Sequence, residues 1–129
     1  MGSKKKEIIE KPYIARFLDK TYRATWYLAV GGEVQRGIDH FCKRHSLERW
    51  EIATKDGRYG HFAGHSDVRG GLFWFRDFHP GGGVVTHEAI HGAWWFIKEH
   101  MQCDLNDNVE ELFAYYGEYL ATQIGRHVW

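Results

Sequence analysis

The amino-acid sequence predicts an α+β domain in which a small twisted sheet packs against a pair of helices. Two observations support this fold class. Short segments rich in aromatic and β-branched residues, separated by glycine-containing turns, occupy much of the chain up to residue 78. Two longer segments with helical periodicity then follow each other directly between residues 84 and 124. Two long helices that follow the last strand directly, without a strand between them, favour an α+β fold.

The composition limits the classes of function. The chain has 129 residues, and we expect a single domain over residues 1–129, with residues 1–20 only loosely assigned. Its 17 basic and 17 acidic residues balance, so neither nucleic acid nor a membrane surface is an expected partner. Cys42 and Cys103 form no C-x-x-C pair, and no apolar run reaches the ~20 residues that span a bilayer. We therefore expect a soluble cytoplasmic protein.

The first part of the chain gives three element predictions. Residues 7–20 contain several apolar side chains without a clear period, which favours a short helix or an irregular packed segment. Residues 22–30 are aromatic and β-branched and end at Gly31 and Gly32, which predicts a strand closed by a turn. Residues 33–45 predict an amphipathic helix, because apolar residues recur at i, i+4, i+7 and i+8. These residues are Val34, Ile38, Phe41 and Cys42.

The middle of the chain predicts three further strands. Residues 49–54 and 59–63 flank an Asp-Gly pair at residues 56–57, which is typical of a tight hairpin. A third strand of strong β-propensity runs from Leu72 to Phe78 and is followed by a proline and a run of glycines. The predicted order is therefore strand, helix, three strands, helix, helix.

Residues 87–91 form an H-E-x-x-H motif within the first of the two late helices, residues 84–98. In a helix, positions four apart differ by about 40° around the axis and ~6 Å along it, so both imidazoles can reach one ion. Glu88 lies beside that face, close enough to contact a water on the metal without being a ligand. Two histidines that hold Zn²⁺ and a carboxylate that accepts a proton from water are the parts of metal-assisted hydrolysis. The motif therefore predicts zinc at His87 and His91.

A catalytic zinc site typically has three protein ligands and one open position, so a third ligand is needed. Residues 109–124 have an apolar helical period and predict a partner helix for the H-E-x-x-H helix. Glu110 and Glu111 both lie near its start. From the residues alone, either carboxylate is a candidate for the third ligand.

The H-E-x-x-H helix and the pattern E-x-x-A-Y at residues 111–115 together resemble the gluzincins, the zincin metallopeptidases with glutamate as third zinc ligand. More narrowly, the chain resembles short metallopeptidase-like proteins encoded by phages and prophages. The similarity covers residues 22–125 and is strongest after Gly70. It implies a minimal zincin-like fold, with a small twisted sheet packed against the H-E-x-x-H helix and a second helix that carries the third ligand.

The resemblance implies Glu111 as the third ligand, because larger gluzincins often have an alanine three residues after the ligand, and Ala114 has that position. The gap of eighteen residues that is common after the second histidine would select Glu110 instead. We prefer Glu111, because the helical phase around Ala114 and Tyr115 fixes which side chain faces the partner helix. The gap after the second histidine is a weaker criterion, because the turn between the helices can be one residue longer. Glu110 would then lie at the helix start, where negative charge is favourable.

The resemblance also implies a mechanism. Glu88 acts as general base for the water on zinc and later protonates the leaving amine. Tyr115 is the first candidate for the donor that stabilises the oxyanion, and His79 is the second. Tyr115 has the position at which many gluzincins carry an aspartate that orients a ligand histidine. Glu118, on the same helical face as Glu111, is a further candidate for that orienting role.

Zincins commonly bind a peptide substrate as an added strand on the edge strand before the metal helix, which in this chain is the predicted strand from Leu72 to Phe78. The resemblance thus implies a zinc metallopeptidase that cleaves a peptide or protein amide bond in the cytoplasm, that of a host cell if a phage encodes it. Two alternatives are a non-catalytic, zinc-stabilised binding or inhibitor protein with the same fold, and a hydrolase of a non-peptide amide.

Overall fold

The computed structural model describes residues 12–52, 59–101 and 107–129. Within these ranges the chain has the α+β fold that the sequence predicts, and it consists of one four-stranded mixed sheet and three α-helices. The strands are β1 (Tyr13–Asp19), β2 (Ala24–Val30), β3 (Gly60–Gly64) and β4 (Gly70–Phe75). The helices are α1 (Val34–Arg44), α2 (Gly82–Phe96) and α3 (Asp107–Val128), and a π-helical segment, Ile97–Met101, continues α2.

The sheet has the strand order β1-β2-β4-β3. β1 and β2 pair in antiparallel fashion, β2 and β4 pair in parallel, and β4 and β3 pair in antiparallel fashion. β4 is therefore an interior strand, whereas β3 is an edge strand that no other described strand covers. The strand expected at the substrate edge, from Leu72 to Phe78, is thus not an edge, because β4 has a hydrogen-bonded neighbour on each side. It also ends at Phe75, three residues earlier than predicted.

Apolar side chains cover both faces of the sheet. Successive residues of β2 and β4 point to opposite faces, and both sets are buried because helices cover both sides. On one face, Trp26 and Phe73 pack with residues of α2 and α3. On the other face, Leu72 and Trp74 pack with residues of α1. The H-E-x-x-H helix and its partner helix therefore lie on the same side of the sheet.

The predicted helices and the strand of residues 22–30 are present with shifted ends, and the four apolar positions predicted to face the core in α1 are all buried. The prediction for residues 7–20 is wrong where the structure describes them, since residues 13–19 form β1. Pairing with β2 along the whole of β1 outweighs a weak local pattern. Residues 1–11 lie outside the described residues.

The predicted strand of residues 49–54 is wrong over its described part, since residues 49–52 form no strand. The backbone of this segment forms hydrogen bonds with the Gln35 side chain instead of with a neighbouring strand. Its Nε2 donates to the carbonyl of Trp50 at 2.8 Å, and its Oε1 accepts from the N–H of Ile52 at 3.1 Å. The predicted hairpin turn at residues 56–57 lies outside the described residues, whereas the predicted return strand corresponds to β3.

Two glycines allow α2 to lie close to the sheet. A Cβ atom at Gly92 would lie 2.5 Å from the Phe73 ring, and one at Gly64 would lie 2.6 Å from the Trp95 ring. Both distances are well inside van der Waals contact, so a side chain at either position would push α2 away from β3 and β4. The close approach of α2 to the edge strand therefore depends on these glycines.

A chain of buried hydrogen bonds fixes α3 on the sheet. Trp26 Nε1 donates to the Tyr116 hydroxyl at 3.1 Å, and that hydroxyl donates to an Asp19 carboxylate oxygen at 2.7 Å. Asp19 is buried and also accepts from the N–H of Thr21. Burial and the neighbouring Asp19 raise the pKa of Tyr116, so its phenol stays protonated and acts as a donor.

Candidate active site

The two histidines of the H-E-x-x-H motif converge on one side of α2. The Nε2 atoms of His87 and His91 are 3.1 Å apart, and the ring centroids are 4.7 Å apart. Both side chains are exposed. The four-residue spacing produces this arrangement, because residues one helical turn apart share a face.

The separation of these two Nε2 atoms fits a shared metal ion. Two imidazole ligands at ~2.05 Å from a tetrahedral Zn²⁺ lie about 3.3 Å from each other. The same contact between metal-free rings is a hydrogen bond in which one imidazole donates and the other accepts. The pair therefore has both the chemistry and the spacing of two zinc ligands.

Glu88 lies on the neighbouring face of α2, which packs against β3. Its side chain is 7% exposed. A Cβ atom at Gly60 would lie 3.1 Å from Glu88 Cγ and 3.3 Å from Oε2, so the glycine leaves the space in which the carboxylate lies. Glu88 is thus between the exposed histidine face and the edge strand.

His87, Glu88 and His91 line one open cavity of about 560 Å³, which we call the histidine cavity. β3 forms one wall of it and α2, extended by its π-helical segment, forms the other. Its remaining lining residues are Gly60, His61, Phe62, Trp94, Trp95 and Lys98. Lys98 was not among the predicted site residues. It follows His91 by seven residues, and this two-turn spacing is the signal that places it on the histidine face.

Within the described part of the chain, the structure groups no third His, Cys, Asp or Glu side chain with the histidine pair as a metal ligand. Among the residues it describes, no group of three or more His, Cys, Asp or Glu side chains is arranged to hold one ion. Glu111 is exposed on α3 and does not line the histidine cavity. Glu110 is on the side of α3 that faces α2, since it lines a groove together with Thr86 and Ile90. The third ligand at Glu111 stays a prediction, with Glu110 as its rival.

The other predicted site residues lie outside the histidine cavity. Tyr115 is 65% exposed on α3. His79 is exposed in the loop before α2, where its N–H donates to the carbonyl of Val128 at 2.7 Å. Glu118 lines the groove between α2 and α3. Lys98 therefore lies beside the histidine pair in the histidine cavity, whereas Tyr115 and His79 do not line it.

The edge strand β3 directs alternate backbone groups away from β4, beside the histidine cavity. The N–H of Arg76 donates to the carbonyl of Tyr59 at 3.0 Å, so Tyr59 directs its backbone groups toward β4. This orientation alternates along an antiparallel pair, and the N–H and C=O groups of Gly60, Phe62 and Gly64 then point away from β4. An added strand would form its hydrogen bonds with these three residues.

Comparisons with protein-family models, with curated proteins and with solved structures found no match. No helix in the described part of the chain is long and apolar enough to cross a membrane. The functional assignment therefore depends on the geometry and chemistry of the site.

Proposed function

We propose that the chain is a zinc-dependent metallopeptidase. One observation carries this proposal: the Nε2 atoms of His87 and His91 converge to 3.1 Å beside the carboxylate of Glu88, in an open cavity. His87 and His91 would hold the ion, with Glu111 or Glu110 as the third protein ligand. A bound zinc ion supplies a Lewis acid, which polarises a carbonyl group and lowers the pKa of water.

Glu88 is the proposed general base and general acid. It accepts a proton from the attacking water and delivers it to the leaving amine nitrogen, so that a C–O bond forms at the carbonyl carbon and the C–N bond breaks. Its position supports this role, because it lies between the histidine face and the strand that would align the substrate. Its low exposure keeps the carboxylate partly shielded from bulk water.

Lys98 is the proposed donor to the developing oxyanion. Its ammonium group carries a positive charge on the histidine face, which suits a negative charge that develops at the substrate carbonyl oxygen. We prefer Lys98 to Tyr115, the first candidate from the sequence, because Lys98 lines the histidine cavity and Tyr115 does not. Loss of one such donor typically costs about 10² in rate.

The substrate is proposed to bind as an extended strand beside β3. The outward backbone groups of Gly60, Phe62 and Gly64 support this mode. Hydrogen bonds to the main chain give affinity without strong dependence on the substrate sequence. The strand that binds substrate is then β3, and not the strand from Leu72 to Phe78.

The proposal is tested with metal analysis and peptide-library cleavage of the wild type, Glu88→Gln and Glu99→Gln. Glu99 is exposed on the π-helical segment and does not line the histidine cavity, so its variant is the matched control. We expect all three proteins to bind zinc, and only Glu88→Gln to lose cleavage, by about 10² or more. Identical behaviour of wild type and Glu88→Gln in every assay would contradict the proposal.

Zinc binding without cleavage of any peptide by the wild type would favour the zinc-stabilised binding protein over the hydrolase.

We also propose that the protein acts in the cytoplasm. Cys42 is a free, buried thiol, which is compatible with a reducing compartment. Expression with a fluorescent tag and cell fractionation would test this location.

A further inference from the structure

A second cavity, the interhelical groove, lies between α2 and α3 on the side of α2 opposite to β3. It has a volume of about 740 Å³ and is lined mainly by apolar and small side chains. Ile90 in its α2 wall is 47% exposed, and Trp129 at its end is 56% exposed. The Trp129 ring is held in place, because its Nε1 donates to the carbonyl of Pro80 at 2.7 Å. An open apolar surface of this kind favours ligand binding.

The groove has a negative rim. Glu110 and Glu118 line it, and both are exposed on α3. They are about two helical turns apart, which corresponds to ~12 Å along the axis. No described lysine, arginine or histidine residue lines the groove. Its electrostatic preference is therefore for a ligand with positive charge beside an apolar group.

The groove and the histidine cavity lie on adjacent faces of α2. Thr86 and Ile90 line the groove, and each directly precedes one of the two histidines, His87 and His91. Consecutive residues of an extended chain are ~3.8 Å apart, so a peptide that leaves the histidine pair reaches the groove within about three residues. One ligand can therefore contact both cavities.

We infer that the interhelical groove is a specificity site for an extended peptide segment with a large apolar side chain followed by lysine or arginine. The apolar lining accepts the large side chain, and the carboxylate of Glu118 pairs with a basic residue, as does that of Glu110 where Glu111 is the zinc ligand. The position of this segment relative to the scissile bond rests on the proposed function. The affinity of the groove for such a segment is independent of the proposed function.

The test measures peptide binding without cleavage, in the Glu88→Gln protein. Two fluorescein-labelled hexapeptides serve as probes, Gly-Ala-Leu-Phe-Lys-Lys and Gly-Ala-Leu-Phe-Glu-Glu, and fluorescence anisotropy gives both dissociation constants. We expect the basic peptide to bind about tenfold more tightly than the acidic one. This preference should decrease with added salt, because both carboxylates are exposed.

Three further substitutions locate the binding. Glu118→Lys should abolish the preference for the basic peptide, whereas Glu48→Lys, at an exposed position that does not line the groove, should keep it. Ala114 is exposed and lines the groove, so Ala114→Trp can fill the groove without changing the core. We expect this variant to bind both peptides about tenfold more weakly.

Equal affinity for the two peptides, or equal effects of Glu118→Lys and Glu48→Lys, would overturn the inference. So would self-association that Ala114→Trp abolishes, because a second copy of the chain would then occupy the groove. A binding preference without cleavage by the wild type supports the groove and rejects the proposed function. Cleavage without any preference for basic residues supports the proposed function and rejects the groove.

Discussion

The phenol of Tyr116 donates a hydrogen bond of 2.7 Å to the carboxylate of Asp19, although the two residues are 97 positions apart in the sequence. Asp19 ends β1, and Tyr116 lies on α3. The bond therefore joins the sheet to the helix that carries Glu110 and Glu111. Because the pair is buried, removing either partner leaves a polar oxygen with one hydrogen bond fewer in an apolar core.

Tyr116→Phe should destabilise the fold. The substitution removes a donor from Asp19 and an acceptor from Trp26 Nε1, and unsatisfied buried groups of this kind cost about 1–3 kcal/mol. Urea denaturation measures the change in the free energy of unfolding. Tyr115→Phe is the matched control, since Tyr115 is exposed and its hydroxyl loss should change stability by less than about 0.5 kcal/mol. Equal stability of the two variants would show that the buried hydrogen bonds of Tyr116 contribute little to the free energy of unfolding.

Two helix glycines should respond to alanine with opposite signs. At Gly92 a Cβ atom would lie 2.5 Å from the Phe73 ring, so Gly92→Ala should lower the free energy of unfolding by about 1–3 kcal/mol. At Gly117 the nearest atom is Ala93 Cβ at 4.0 Å, so Gly117→Ala should raise it by about 0.5–1 kcal/mol through the gain in helix propensity. Thermal unfolding of both variants checks the prediction, which fails if the two changes have the same sign.

The zinc affinities of four alanine variants should identify the third zinc ligand. His87→Ala and His91→Ala should each lose tight zinc binding. Of Glu110→Ala and Glu111→Ala, the sequence-based prediction is that only the second loses it as well. Competition with a chelator gives the zinc dissociation constant of each variant. Loss of zinc in Glu110→Ala with retention in Glu111→Ala would reverse the assignment and agree with the side of α3 on which Glu110 lies.

Gly60 should be required for activity but not for zinc binding. A Cβ atom at this position would crowd both the Glu88 side chain and Val84 Cγ1, the latter at 3.0 Å. We expect Gly60→Val to lower kcat by about tenfold or more, because a small displacement of a catalytic group is costly. Gly83→Ala is the control, since a Cβ atom there meets open space. Unchanged kcat in Gly60→Val would show that the position of the Glu88 side chain does not limit catalysis.

The free energy of unfolding should decrease below neutral pH because of His45 and His100. Burial lowers the pKa of each imidazole below 6.5, with smaller contributions from the charges of Arg44 and Arg69, respectively. The unfolded chain therefore binds protons below about pH 6.5 that the folded chain binds only at lower pH, so stability falls as the pH drops through this window.

Urea denaturation between pH 7 and pH 5 measures this dependence on pH. His45→Phe and His100→Phe should each reduce the slope of stability against pH, since each removes one group with a lowered pKa. A wild-type slope in both phenylalanine variants would mean that other groups cause the acid sensitivity.

Features encoded within one segment could be predicted from the sequence, and features that depend on contacts between distant segments could not. The convergence of His87 and His91 follows from helix geometry alone. The edge position of β3 instead follows from the parallel pairing of β2 with β4, in which Leu28 lies opposite Phe73. No local sequence pattern predicts that pairing. The identity of the third ligand likewise depends on how α3 packs on α2, and the sequence left two adjacent carboxylates as candidates.

The parallel pairing of β2 with β4 also bears on the kinetics of folding. β3, β4, α2 with its π-helical segment, and α3 follow one another in the chain and contain every proposed site residue, so their mutual contacts close shorter loops. β2 reaches β4 only by closing a long loop that contains α1 and β3, which costs more entropy and is slower. We therefore expect residues 13–44, which carry no proposed site residue, to join the rest of the fold in a slow step of folding.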